Sequence, residues 1–202
     1  MNEVDICNLA LNFLGKGMIK SLSENNELSR TCKLHYDRYR KILLKDYNWE
    51  FAQRTMKLTP IAEDYGDSLK GWKYVYEYPE ECLQVLKVYN GDDHKKEDHR
   101  EKFFVQCVDY RLGTKVICCN LEDAYMDYVA DETDCNYFSE EFIEAFAHYL
   151  AYGMAQALTG SEGKAQTELQ YMQTALYQAK LRTAREREHK PSLPHKYFDG
   201  RF

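Results

Sequence analysis

The hydrophobic period changes twice along this chain, and those changes limit its possible folds more than any single motif. From Met1 to about Asp46 apolar residues recur every three or four positions, the period of an amphipathic helix. From Trp49 to about Asp131 they alternate or fall in short runs, and from Ser139 the helical period returns. Helices, then strands, then helices again is the order of an α+β fold. The two helical ends are expected to pack together, since neither can bury its apolar stripe alone.

Met1 to Gly15 predicts a short helix with Val4, Cys7, Leu11 and Leu14 on one face, widened by Ile6, Ala10 and Phe13. Gly15 and Gly17 end it, because glycine takes the left-handed position after a helix at little cost. A second helix is expected from about Asn25 to Asp46, capped by Ser23 or Asn25, with Glu24 and Glu27 at the positive end of its dipole. Its apolar line is Leu28, Cys32, His35 or Tyr36, Tyr39, Ile42 and Leu43; Arg30, Lys33, Asp37, Arg38, Lys41 and Lys45 take the wetter faces. The interleaved run from Tyr36 to Arg40 has the composition of a nucleic-acid platform. Helical geometry argues otherwise, turning Tyr36 and Tyr39 inward and Arg38 and Lys41 elsewhere.

The candidate strands are Arg54-Met56-Leu58, Trp72-Tyr74-Tyr76-Tyr78, Leu83-Val85, Val88, Phe103-Val105, Val116-Cys118 and Tyr125 to Val129. Pro60, Gly66, Gly71, Pro79, Gly91 and Gly113 punctuate them. They predict a small antiparallel sheet or sandwich, with the charged stretch from Gly91 to Lys102 as an exposed loop. Ser139 then caps a helix whose face is Phe142, Ala145 or Phe146, Tyr149, Gly153 and Ala157, stopped at Thr159-Gly160. Ser161 caps a longer helix to about His189, with Ala165, Leu169, Met172, Leu176 and Ala179 as a packing seam. After Lys190 the prolines and isolated aromatics cannot build a core, so the segment frays or orders on a partner. The expected organisation is a helical bundle of antiparallel helix pairs from 1–52 and 139–189, an inserted antiparallel β domain at 53–138, and an extended tail at 190–202.

The chain carries 27 Lys and Arg against 33 Asp and Glu, a net charge of -6, so it is not a nucleic-acid binder of the basic type. Residues 180–202 run the other way, with seven Lys/Arg against three Asp/Glu. Among 202 residues, 17 are Tyr, a side chain that serves cores and interfaces alike. The cysteines Cys7, Cys32, Cys82, Cys107, Cys118, Cys119 and Cys135 are odd in number, form no C-x-x-C pair and follow no secretory pattern. They are expected to be buried, reduced thiols of a cytosolic protein. No apolar run approaches the length of a membrane span.

Signatures of chemistry are sparse. There is no phosphate loop, H-E-x-x-H or G-x-S-x-G. His94 and His99, with Asp92, Asp93, Glu97 and Asp98, lack calcium-loop spacing and read as a solvated loop face. His148 and His35 lie on or near apolar helix faces, where a satisfied core histidine is the ordinary outcome. The pairs Glu80-Glu81 and Glu140-Glu141 are sequence neighbours, so they point to different faces and make no acid/base couple. No catalytic residue, metal ligand or cofactor is assigned. Two alternatives stay open: a thiol- or metal-dependent hydrolase using Cys82 or the His94/His99 loop, and a DNA-binding regulator using the basic end of the last helix.

Four blocks in order resemble the podovirus tail tubular protein A family, the head-to-tail adaptor or gatekeeper proteins. They are ICNLALNFLG followed by Ser21-Leu22, YNWEFAQRTMKL at 47–58, YVYEYPEECLQVLKV at 74–88, and Asp134, Phe138 and Phe142 leading to Leu158-Thr159-Gly160. In the second block Trp49, Phe51, Ala52 and Arg54 fit the family's Pro-Trp-x-Phe-Ala and following Arg, with Asn48 in place of the proline. The resemblance implies a structural virion protein: a ring of about twelve copies at the head-tail junction, assembled in the host cytoplasm. The ring would join the portal protein to the tail nozzle or other tail proteins and line the channel for DNA ejection, with no sequence-specific DNA binding and no membrane. Trp49, Phe51 and Arg54 would then form a junction core where the second helix hands over to the sheet. The position in chain order of Pro191, Ser192, Leu193, Pro194, Tyr197, Phe198, Arg201 and Phe202 matches the family's portal-docking extension.

Overall fold

Asn2 and Asp5 each accept a hydrogen bond from the other's backbone N–H, both at 2.9 Å, and this reciprocal cap starts helix α1 (Glu3–Phe13). The helix ends where the sequence predicts: Gly15 takes φ +67°, and the Lys16 N–H bonds the Leu11 carbonyl at 2.9 Å. The computed structural model describes residues 1–61, 69, 71–91, 101–109 and 114–187. Its architecture is mixed α and β, with four helices and two small antiparallel sheets of three strands each.

Helix α2 spans Glu27–Asp46. Its cap is Asn26, whose side chain accepts the Ser29 N–H at 2.8 Å, and not Ser23 or Asn25. Those two are engaged otherwise: the Ser23 hydroxyl bonds Ser21, and the Asn25 side chain accepts from Arg30. The expected apolar line also needs correction, for Ile42 is 37% exposed while Arg40 is buried. Six residues beyond Tyr36 turn a helix by about 240°, which carries Ile42 off the face that Leu43 and Leu44 share with Tyr36.

The chain divides into two compact units, Met1–Arg40 with Asp134–Phe202, and Lys41–Thr133. In the first, α3 (Glu140–Thr159) begins at Ser139, whose hydroxyl accepts the Phe142 N–H at 3.3 Å, and ends at Gly160 with φ +65°. Ten of its residues are buried, among them Phe142, Phe146, Leu150 and Met154. Helices α1 and α4 (Glu162–Arg187) both pack against it. The seam expected on α4 is shared unequally: Met172 and Ala179 are buried, Ala165, Leu169 and Leu176 half-buried, and the polar Glu168 and Thr183 join them inside. Ala157, expected on the inner face of α3, is exposed. The Lys164 ammonium reaches the Leu14 carbonyl at 2.8 Å, placing a cation at the negative end of α1.

In the second unit, β1 (Gln53–Lys57), β6 (Ala124–Ala130) and β3 (Cys82–Asn90) form one sheet in the order β1-β6-β3. The other is β2-β5-β4, from β2 (Tyr74–Glu77), β5 (Thr114–Cys119) and β4 (Phe103–Asp109). Side chains from both share one core that includes Val88, Met126 and Tyr128 of the first sheet with Tyr76, Ile117 and Cys119 of the second. The sequence runs Leu83-Val85 and Val88 belong to the single strand β3. Register shifts between Cys82 and Gln84 and between Val85 and Lys87 break its alternation, so it reads as two pieces. No described helix is long and apolar enough to cross a membrane.

Gly153 of α3 lies under Tyr39 of α2. A Cβ there would stand 2.3 Å from the ring's Cε2 and 2.6 Å from its hydroxyl oxygen. Tyr39 is held by Tyr149 at a ring distance of 4.2 Å, so it has little room to retreat. Gly153→Ala is therefore expected to lower stability by roughly 1–3 kcal/mol despite alanine's better helix propensity. Urea unfolding of the two proteins checks this, and an unchanged midpoint would show that the ring swings clear.

Candidate functional site

The residues expected to form a junction core are engaged in packing, backbone contacts and one ion pair. Trp49 is fully buried, its indole N–H donates to the Leu43 carbonyl at 2.8 Å, and its ring lies 5.2 Å from Tyr47 and 6.0 Å from Phe51. That bond ties the end of α2 to the short 3₁₀ turn Glu50–Ala52, which leads into β1. Arg54 then closes the corner. One guanidinium nitrogen donates to the Phe51 and Gln53 carbonyls at 2.7 and 3.0 Å, and the other meets the Glu132 carboxylate at 2.6 Å. Phe138 and Phe142, from the fourth sequence block, pack ring to ring at 5.0 Å.

The tail residues Pro191, Ser192, Leu193, Pro194, Tyr197, Phe198, Arg201 and Phe202 lie outside the described residues, as do His94 and His99 with Asp92, Asp93, Glu97 and Asp98. Of the thiols, Cys82 is buried, and burial pushes it up, the wrong direction for a nucleophile at neutral pH. None of the seven cysteines is in a disulfide, and six are buried. The neighbouring Cys32 thiol and burial push Cys7 up, Cys7 in turn holds Cys32 down, and the Cys32 thiol donates to the Met154 sulfur at 3.6 Å. Among the described residues, no group of three or more His, Cys, Asp or Glu side chains is arranged to hold a metal ion.

The two histidines part ways. His148 is a satisfied core histidine: Nδ1 lies 2.7 Å from Glu168, Nε2 lies 3.4 Å from Glu144, and the ring stacks on Phe13 at 4.1 Å. His35 departs from that expectation, since its Nδ1 is buried without a hydrogen-bond partner among the described residues. Burial, with Arg38 nearby, pushes the His35 imidazole down, so it stays neutral and the orphaned atom carries no charge. One member of each acidic pair is engaged elsewhere: Glu81 accepts from the Tyr128 hydroxyl, and Glu141 pairs with Arg182.

Two polar sites emerge that the sequence reading did not single out. On one face of the first sheet, Asp127 accepts from the Thr55 hydroxyl at 2.7 Å and the Tyr89 hydroxyl at 2.9 Å, and pairs with Lys87 at 3.1 Å. The other is a cavity of about 510 Å³ lined by residues of α2, α3 and α4, including Tyr39, Tyr152 and Glu162. The available signal was a glycine, Gly153, inside an otherwise apolar helix, where close approach by another group is one of the few advantages it offers.

Partial burial raises the Asp127 carboxyl, but hydrogen bonds from Thr55, Lys87 and Tyr89 outweigh it and hold the group below its ordinary value. A carboxyl depressed in the folded state adds stability above its unfolded value, about pH 4, and that stability is lost as pH falls through the folded value. Asp127→Asn is expected to lower the melting temperature at pH 6 and to flatten its fall toward pH 2. Parallel pH profiles for the two proteins would contradict this. No protein-family model matches the chain and no curated protein matches it, so its role is read from its own residues.

Proposed function

We propose that this chain is a structural subunit of the head-to-tail adaptor ring of a short-tailed phage, and that it is not an enzyme. The observation that carries the reading is the ordered run of four sequence blocks, with Trp49, Phe51, Ala52 and Arg54 at the family's positions. The geometry supports it in one respect. The shared residues serve architecture: Trp49 fixes the end of α2, Arg54 binds two backbone carbonyls and Glu132, and Phe138 packs on Phe142.

On this reading the helices make an antiparallel bundle from N- and C-terminal pairs, carrying the β domain as an insertion and the segment 190–202 as an extended tail. About twelve copies would meet through heterologous contacts that close into a ring. The ring joins the portal to the nozzle or other tail proteins in the virion and surrounds the DNA channel. The acidic net charge of -6 suits a lumen past which DNA slides without sticking. The tail, from Pro191 to Phe202, docks on the portal as a peptide that gains its order from the partner.

Electron microscopy of the purified chain mixed with its portal protein tests this directly. Twelve-fold rings are expected for the full chain, and a chain lacking Pro191 to Phe202 should stay folded yet lose its hold on the portal. Monomers with no portal affinity under any condition would overturn the adaptor reading, and undiminished binding by the truncated chain would overturn the role of the tail.

A further inference from the structure

The outer face of helix α4 carries no charge along its middle. From Gln166 to Gln178 every exposed side chain is Gln, Thr or Tyr, in a chain of which 30% is Asp, Glu, Lys or Arg. The one carboxylate of that stretch, Glu168, is buried against His148. Tyr171 and Tyr177 stand 56% and 61% exposed on the same face. Gln166, Gln170, Gln173 and Tyr177 recur at spacings of four, three and four, so they fall within about 60° of the helix circumference and form a straight seam. Each follows by one position a residue of the seam that Ala165, Leu169, Met172 and Leu176 turn inward. The spacing of a helix-to-helix contact therefore occurs twice on α4, once facing the unit and once facing out.

The chemistry of the outer seam selects what can cover it. Nucleic acid or an acidic surface would need cations there, and a bilayer would need a continuous apolar face. A charged protein surface would lose its hydration against α4 and gain no counter-charge. A carboxamide is different, since it carries donors and an acceptor and bonds another carboxamide reciprocally. The threonines add little cost, because the Thr167 and Thr174 hydroxyls already donate to the Gly163 and Gln170 carbonyls of their own helix, both at 3.0 Å. A face rich in Gln and Tyr and poor in charge has the composition of an interface centre, and the surface that matches it is the same face of another copy.

We propose that two copies of this chain pair through this face, α4 against α4 in antiparallel orientation. Parallel pairing would set Arg182 and Arg185 of both copies side by side and align the helix dipoles unfavourably. Antiparallel pairing about a two-fold axis at the middle of the seam brings Gln170 of each copy against Gln173 of the other, and Gln166 against Tyr177. The seam is about 18 Å long, so the buried area falls short of the ~800 Å² per partner of a standard interface and the pair is a weak one. The inference does not rest on the adaptor reading: an isologous contact closes on two chains, whereas a ring needs a heterologous one.

Sedimentation equilibrium of the full chain, from about 10 µM to about 1 mM, tests the pairing. The average mass should rise toward that of a dimer. An acidic double variant, Gln170→Glu with Gln173→Glu, and a basic one, Gln170→Lys with Gln173→Lys, place good helix formers at exposed positions and should fold as the parent does. Each alone should associate at least ~10-fold more weakly than the parent, and an equal mixture of the two should regain pairing. Gln84→Glu, an exposed position on β3, should leave self-association unchanged. Either double variant pairing as tightly as the parent, or a mixture that fails to pair, would overturn the α4-to-α4 contact. A chain that stays monomeric throughout this range while still forming rings on a portal would overturn it too, and would leave the face to the portal or to the chain's own tail.

Discussion

Helix α3 is apolar on most of its circumference, and a helix of that kind exists in water only when other elements cover it. Phe142, Ile143, Phe146, Ala147, Leu150, Ala151, Met154 and Ala155 are all buried, which leaves few positions for solvent. The helical unit answers that demand. Helix α1 and the long α4 pack on α3, while Tyr36 and Cys32 of α2 reach Phe146 and Met154. His148 ties elements together inside the unit, lying between Glu144 of its own helix and Glu168 of α4, with Phe13 of α1 stacked on its ring.

Much of this was legible in the sequence because it depends on local rules. Ser139, Gly15 and Gly160 act at the helix ends where capping chemistry places them, and Tyr36 and Tyr39 face inward as the helical period requires. What local rules missed has a physical cause in each case. Asn26 replaces its neighbours as the cap because Ser23 and Asn25 have other partners, a competition that spacing cannot rank. The burial of Glu168 depends on an imidazole twenty positions away in sequence, which no local pattern announces. Likewise β3 seemed two fragments because its register shifts reset the alternation.

The candidate site was less legible than the fold. Trp49 and Arg54 stand out in sequence as a large aromatic and a cation at a change of period, and both prove to be fixed by backbone carbonyls. The cavity beside Tyr39 needs three helices to exist, so no stretch of sequence announces it except Gly153. The chain thus commits its distinctive residues to holding corners and carries a polar concavity within its helical unit.

That view rests on α3 being the covered spine of the helical unit, which amide hydrogen exchange tests most directly. The amides from Phe146 to Ala155 should exchange only through global unfolding and be among the slowest in the molecule, while the exposed outer positions of α4 near Tyr171 and Tyr177 exchange sooner through local opening. Exchange of the α3 amides as fast as those of α4 would contradict the account.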